Sequence, residues 1–157
     1  AIRLSRIALH ARTGKQQYKG HPDLEAFQGF YELCQHPLYY NGGIESLSDI
    51  RQILIRFPLL KGVFIGRGLL SSPLLAKEFK GNETFLPEQR MSIYFAFHEE
   101  LFSAYSQVLQ GETQLLVKMK TLWEYFLPET DRKLLKRIKK STRLQQYTES
   151  VKAIFTS

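Results

Sequence analysis

Apolar positions recur at two different periods along the chain, and the change from one to the other divides it. In the first half, short apolar runs at residues 7–10, 37–40 and 62–65 read as buried strands, each ending in polar or glycine-rich residues. Between the first two, Leu24, Phe27, Tyr31 and Cys34 recur at spacings of three and four, which predicts a helix over residues 21–34 with Pro22 near its start. Leu47, Ile50, Leu54 and Phe57 predict a second helix, capped by Ser46 with Asp49 three residues on, as in a capping box. A short helix is expected over residues 72–79. Beyond Gly81-Asn82 only helical spacing remains. Met91, Phe95, His98, Phe102, Tyr105 and Leu109 mark a long helix over 87–110, and Leu115, Met119, Leu122 and Phe126 another over 112–126. Leu127-Pro128 breaks the pattern, a short basic helix follows over 130–140, and a last one, capped by Ser141 or Thr142, runs to about residue 155. Four helices on short loops predict an antiparallel bundle.

Strand, helix, strand, helix, strand with short apolar strands means a parallel sheet. The strand ends at His10, Asn41 and Gly66 lie 31 and 25 residues apart. A (β/α)8 barrel averages about 31 residues per unit, and a doubly wound sheet has a similar pitch, so spacing does not choose between them. The change of character places a boundary near 80–86, giving residues 1–82 as the α/β part and 83–157 as the helical part.

Composition narrows the classes. At 157 residues, 43% hydrophobic and 24% charged, the chain is neither disordered nor collagen-like, and fits one domain or two small ones. The 22 Lys and Arg against 15 Asp and Glu give a net charge of +7, which suits a polyanionic partner without proving one. The single cysteine, Cys34, makes no internal disulfide, so the cytoplasm is the expected compartment. No apolar run approaches the ~20 residues that span a bilayer, and no His, Cys, Asp and Glu set has metal-ligand spacing, so neither membrane nor metal is expected. The missing initiator Met and the immediate strand signal predict a truncated chain.

Three polar clusters stand at the C-terminal ends of the predicted strands: His10-Ala11-Arg12-Thr13, Asn41-Gly42-Gly43 and Gly66-Arg67-Gly68. Ligands of parallel α/β sheets bind at that edge. Glycines there let backbone N–H groups approach an anion, and Arg67 can add a bidentate phosphate contact. The plain alternative is that the glycines only make tight turns.

Together these residues resemble a known family. His10-Ala11-Arg12-Thr13, Gln17-Tyr18-Lys19-Gly20, Asn41-Gly42-Gly43-Ile44 and Ile65-Gly66-Arg67-Gly68, with Pro73 following, are similar in order and interval to the tRNA-dihydrouridine synthases, at that family's sixth, seventh and eighth barrel strands. The likeness is close over residues 5–80, and the helical tail resembles the family's C-terminal domain in placement and length. The resemblance implies a flavoprotein oxidoreductase that uses FMN and NADPH to reduce uridine to 5,6-dihydrouridine in tRNA. It implies that His10 lies against the flavin, that Asn41, Gly42 and Gly43 hold its phosphate and ribityl side, and that Gly66 and Arg67 hold the phosphate. Arg12 and Tyr18 would shape the uridine pocket. The family's proton-donating cysteine lies on an earlier loop, upstream of residue 1, so no catalytic residue is expected here. Its flavin-contacting lysine lies on the strand before His10. The chain alone is therefore expected to be inactive. Two positions depart from the family: Gly43, where an acid is frequent, and Leu74, where an aromatic residue is common. Three strands cannot close a barrel, so the inner sheet face is expected to be exposed or covered by a partner chain, self-association included.

The remaining candidates read as structural. Cys34 is expected on the buried face of its helix, His98 as a satisfied core histidine, Trp123 and Phe126 as core, and Glu99-Glu100 as a solvated face. His21 and His36 carry no assignment. Residues 132–143 hold seven cations in twelve positions, with Lys136, Arg137, Lys139 and Lys140 at their centre. Such a run is either an ordinary solvated face or a phosphate-neutralising RNA contact, and the resemblance favours the latter. The rival functions are another FMN-dependent barrel oxidoreductase with a small-molecule substrate, and a non-catalytic RNA-binding module.

Overall fold

The structure is a computed structural model that describes residues 4–16 and 20–156. Three strands, β1 (Ile7–Leu9), β2 (Leu38–Asn41) and β3 (Gly62–Phe64), form one parallel sheet in the order β1-β2-β3. The register pairs Ile7 with Leu38 and Leu9 with Tyr40, then Tyr39 with Gly62 and Asn41 with Phe64. All three strands therefore end at the same sheet edge.

Helices α1 (Leu24–Leu33) and α2 (Leu47–Arg56) follow β1 and β2. Asp23 caps α1, its carboxylate accepting from the Glu25 and Ala26 amides. Ser46 and Asp49 close the expected capping box, and Asp49 Oδ2 also accepts from the Glu45 amide at 2.9 Å. The core of this part is aromatic. Phe27 meets Tyr40 and Phe57 edge-on, both with ring centroids 4.9 Å away, and Leu38, Ile50 and Ile53 are also buried. Arg56 reaches across from α2 to Glu25 and Gln28 of α1. On the opposite face of the sheet lie Ala8, Tyr39 and Phe64, whose side chains alternate with the buried set. Phe64 there is 44% exposed, with the Tyr39 ring edge-on to it at a centroid distance of 5.7 Å.

Cys34 departs from expectation. It lies one residue beyond α1 in an extended conformation, half-buried, with its thiol 3.5 Å from the His36 carbonyl. Helical spacing counted it into the apolar face, but the chain leaves the helix at Leu33, so its side chain no longer points along that stripe.

The chain divides into two compact units, residues 1–69 and 70–157. The sequence changes character at 80–86, yet residues from 70 onward pack with the helices. Leu74 is part of the helical core, Ser72 Oγ is 2.7 Å from the Tyr94 hydroxyl, and the Leu127 amide donates to the Ser71 carbonyl. The short helix expected over 72–79 is α4 (Leu75–Gly81), and a further short helix the sequence reading did not expect, α3 (Arg67–Ser71), precedes it, the two parted at Ser72, which Pro73 disfavours in the helical region.

The second unit adds α5 (Pro87–Val108), α6 (Glu112–Leu122), α7 (Arg132–Lys140) and α8 (Leu144–Phe155). Its core holds Tyr94, Met119, Trp123, Phe126, Ile138, Tyr147 and Val151. Buried Glu78 of α4 pairs with Arg90 of α5, which also donates to the Tyr94 hydroxyl at 3.3 Å. Leu127 takes a left-handed φ of 49° as the chain turns before Pro128. His98 is buried, as expected, in a chain of hydrogen bonds. Trp123 Nε1 donates to the Tyr147 hydroxyl oxygen at 2.9 Å, and that hydroxyl lies 2.7 Å from His98 Nε2. With its oxygen occupied by the indole, Tyr147 donates to Nε2, which leaves the proton on Nδ1 facing Glu99 at 3.1 Å. Among the described residues no helix is long and apolar enough to cross a membrane, and no group of acids, cysteines and histidines is arranged to hold a metal.

Candidate functional site

The common edge of the three strands carries a cavity of about 190 Å³, lined by His10, Asn41, Gly42, Gly43, Gly66 and Arg67 together with Ile44, Glu45 and Phe64. Each of the first six was singled out in the sequence, and the parallel register explains why they meet. His10 follows β1, Asn41 ends β2, and Gly66 follows β3, so one sheet edge presents all three turns.

Gly42 has a φ of 146°, and a Cβ there would lie 2.9 Å from Pro22 and 3.0 Å from the His10 ring. The β2–α2 turn thus packs directly against His10 and Pro22, which only glycine permits. Gly66 also lines the cavity, but a Cβ built on it meets nothing within 4 Å. The imidazole of His10 is held below its ordinary pKa, first by desolvation and then by the positive charges of Arg12 and Arg67. The cavity is a small recess walled by backbone turns, with Arg67 as the one cationic side chain of its lining. Glu45 is the one acidic residue on its rim.

Arg12 does not line this cavity. Its guanidinium donates to the Gly20 carbonyl at 2.7 Å, bracing the loop after β1. Gln16 supports the same loop through the His21 carbonyl at 2.7 Å. Tyr18 lies outside the described residues. The sequence reading missed Glu45 and Phe64 in the lining and Pro22 behind Gly42; Glu45 is legible as a neighbour of the glycine turn, whereas Pro22 and Phe64 needed the fold.

The basic helix presents Arg132, Lys133, Lys136, Arg137, Lys139 and Lys140 to solvent, while Leu134, Leu135 and Ile138 turn inward. Lys120 donates to the Ser141 carbonyl at the C-terminal end of α7.

The profile of dihydrouridine synthases matches residues 4–156, nearly the whole chain. The chain belongs to the dihydrouridine synthase family. It is 34% identical over 77 residues to a probable tRNA-dihydrouridine synthase of Aquifex aeolicus (strain VF5), and 36% identical over 67 residues to one of Rhizobium leguminosarum bv. phaseoli. These alignments take in 49% and 43% of this chain but only 24% and 21% of the two proteins, so the chain spans about a quarter or less of the curated relatives it matches.

Proposed function

We propose that this chain supplies the phosphate-binding end of the flavin site and an RNA-binding helical part to an enzyme that reduces uridine to 5,6-dihydrouridine in tRNA. In this reading residues 1–82 hold the last three βα units of a barrel, the stretch from 70 onward packing with the helices, and 83–157 are a helical bundle that contacts tRNA. FMN, reduced by NADPH, supplies the hydride chemistry when bound. This chain's own residues bind and orient. Backbone amides of Asn41, Gly42, Gly43 and Gly66 face the phosphate, Arg67 neutralises it, and His10 packs beside the ring system. Arg12 and Tyr18 shape the uridine pocket, Arg12 by bracing the Gly20 carbonyl.

The observation that carries the reading is the cavity itself: six residues from three separate turns, Arg67 among them, converge on one recess. The test compares FMN with riboflavin, which differ only by the phosphate. FMN binds this chain at least tenfold more tightly than riboflavin, and Arg67→Ala removes most of the difference. Equal affinities would overturn the assignment. The 157 residues alone do not form dihydrouridine. Their only thiol, Cys34, sits beyond the C-terminal end of α1, on the approach to β2 rather than at the strand ends that carry the cavity. A single-turnover assay with chemically reduced FMN and unmodified tRNA checks this; product that vanishes in Cys34→Ser would contradict it. Localisation follows the substrate, so the compartment is the cytoplasm.

A further inference from the structure

A second concavity, of about 400 Å³, opens between α7 and α8. One wall is Lys133, Lys136, Arg137 and Lys140, spaced three, one and three apart, which is a single stripe of a helix. The facing wall is Gln146, Glu149 and Ser150 of α8. Arg132 and Lys139 do not line it, so the structure sorts the basic run into a groove stripe and an outer face.

The carboxylate in this groove calls for an explanation. Glu149 is exposed, its Oε1 accepts from Gln145 Nε2 at 3.0 Å, and among the described residues no ion pair ties it to the four cations opposite. A groove that only neutralised phosphates would gain nothing from it, because it repels them. An RNA backbone, however, carries one hydrogen-bond donor that a DNA backbone lacks, the 2′-hydroxyl. A carboxylate accepts that proton and nothing else the backbone offers. Gln146 beside it is fixed in orientation: its Oε1 accepts from the Thr142 amide at 3.0 Å, so the NH2 end is the one left to donate.

We propose that the α7–α8 groove binds an RNA backbone, with phosphates on the Lys133–Lys140 stripe and a ribose 2′-hydroxyl on Glu149, and that Glu149 makes it selective for RNA over DNA. The proposal rests on the reading that the helical part contacts tRNA.

The test measures binding of a tRNA hairpin and of its all-2′-deoxy counterpart at one stated salt concentration. The wild-type chain, Glu149→Ala, Glu149→Gln and the control Glu112→Gln are compared, with Trp123 fluorescence to verify folding. Wild type binds the RNA at least fivefold more tightly than the DNA. Glu149→Ala tightens DNA binding and lowers the RNA-to-DNA ratio at least threefold. Glu149→Gln, which keeps an acceptor without the charge, tightens both and retains most of the ratio. A ratio unchanged in Glu149→Ala would overturn the proposal and leave Glu149 a repulsive surface charge. A wild-type chain that binds neither hairpin would overturn the tRNA reading itself.

Discussion

Tyr147→Phe tests how the helical unit is held together. The substitution keeps the ring and removes one oxygen, which lies 2.7 Å from His98 Nε2 and 2.9 Å from Trp123 Nε1 in a fully buried site. Two polar groups lose their shared partner at once, the acceptor His98 Nε2 and the donor Trp123 Nε1. Each orphaned buried group costs about 1–3 kcal/mol, so the expected loss is about 2–6 kcal/mol, a large share of the ~5–15 kcal/mol that holds a domain. Trp123 is the only tryptophan in the chain and sits at the perturbed site, so its fluorescence during urea unfolding reports this unit. At ~1–3 kcal/mol per molar urea, the midpoint falls by about 1 M or more. Adding His98→Leu to Tyr147→Phe removes one orphan together with its partner, so the double variant loses less than the sum of the singles. A Tyr147→Phe variant within about 0.5 kcal/mol of wild type would refute the argument, since it would mean that surface-like relaxation satisfies both groups. The same site sets a pH dependence. Burial holds His98 below its ordinary pKa, against the opposing pull of Glu99. The unfolded chain then binds a proton near pH 6.5 that the folded chain refuses, so stability is full above about pH 6.5 and falls as the pH drops below it. His98→Leu flattens that slope.

The remaining predictions concern the ligand sites. Gly42→Ala forces a side chain into a left-handed backbone and against His10 and Pro22, so it lowers FMN affinity and melting temperature together, whereas Ala at exposed Gly29, where a Cβ meets nothing within 4 Å, leaves FMN affinity unchanged. Arg67→Ala weakens FMN binding by roughly tenfold or more, the value of a charge-assisted phosphate contact, and Arg12→Ala by less, because Arg12 donates to Gly20 instead; flavin fluorescence titration of the two variants separates them. Neutralising Lys136, Arg137, Lys139 and Lys140 lowers tRNA affinity and flattens its salt dependence by up to about one unit of slope per lost phosphate contact, and an unchanged slope would return the run to a solvated face.

Much of this protein is settled by local rules that a sequence carries openly. Strand and helix order followed from period, because apolar runs and three-four spacing are imposed by backbone geometry before any packing occurs. The Ser46–Asp49 box was legible for the same reason: both partners lie within one turn. The glycine turns and Arg67 stood out by motif, and their meeting at one edge needed only that the strands be parallel. What the tertiary structure decided depends on contacts between residues distant in sequence, or on where a helix stops. Cys34 left its helix because the chain departs at Leu33, a difference of one residue that periodicity cannot resolve. The division at 69–70 rather than near 80 follows from Leu74 and Ser72 packing on the helices, whereas composition registers only where glycine and charge accumulate. The direction of Arg12 toward Gly20, the pairing of His98 with Tyr147 some 49 positions away, and the sorting of Lys133 into the groove and Lys139 out of it are likewise matters of three-dimensional neighbourhood. Period fixes which side chains share a face; only the folded chain fixes what that face meets.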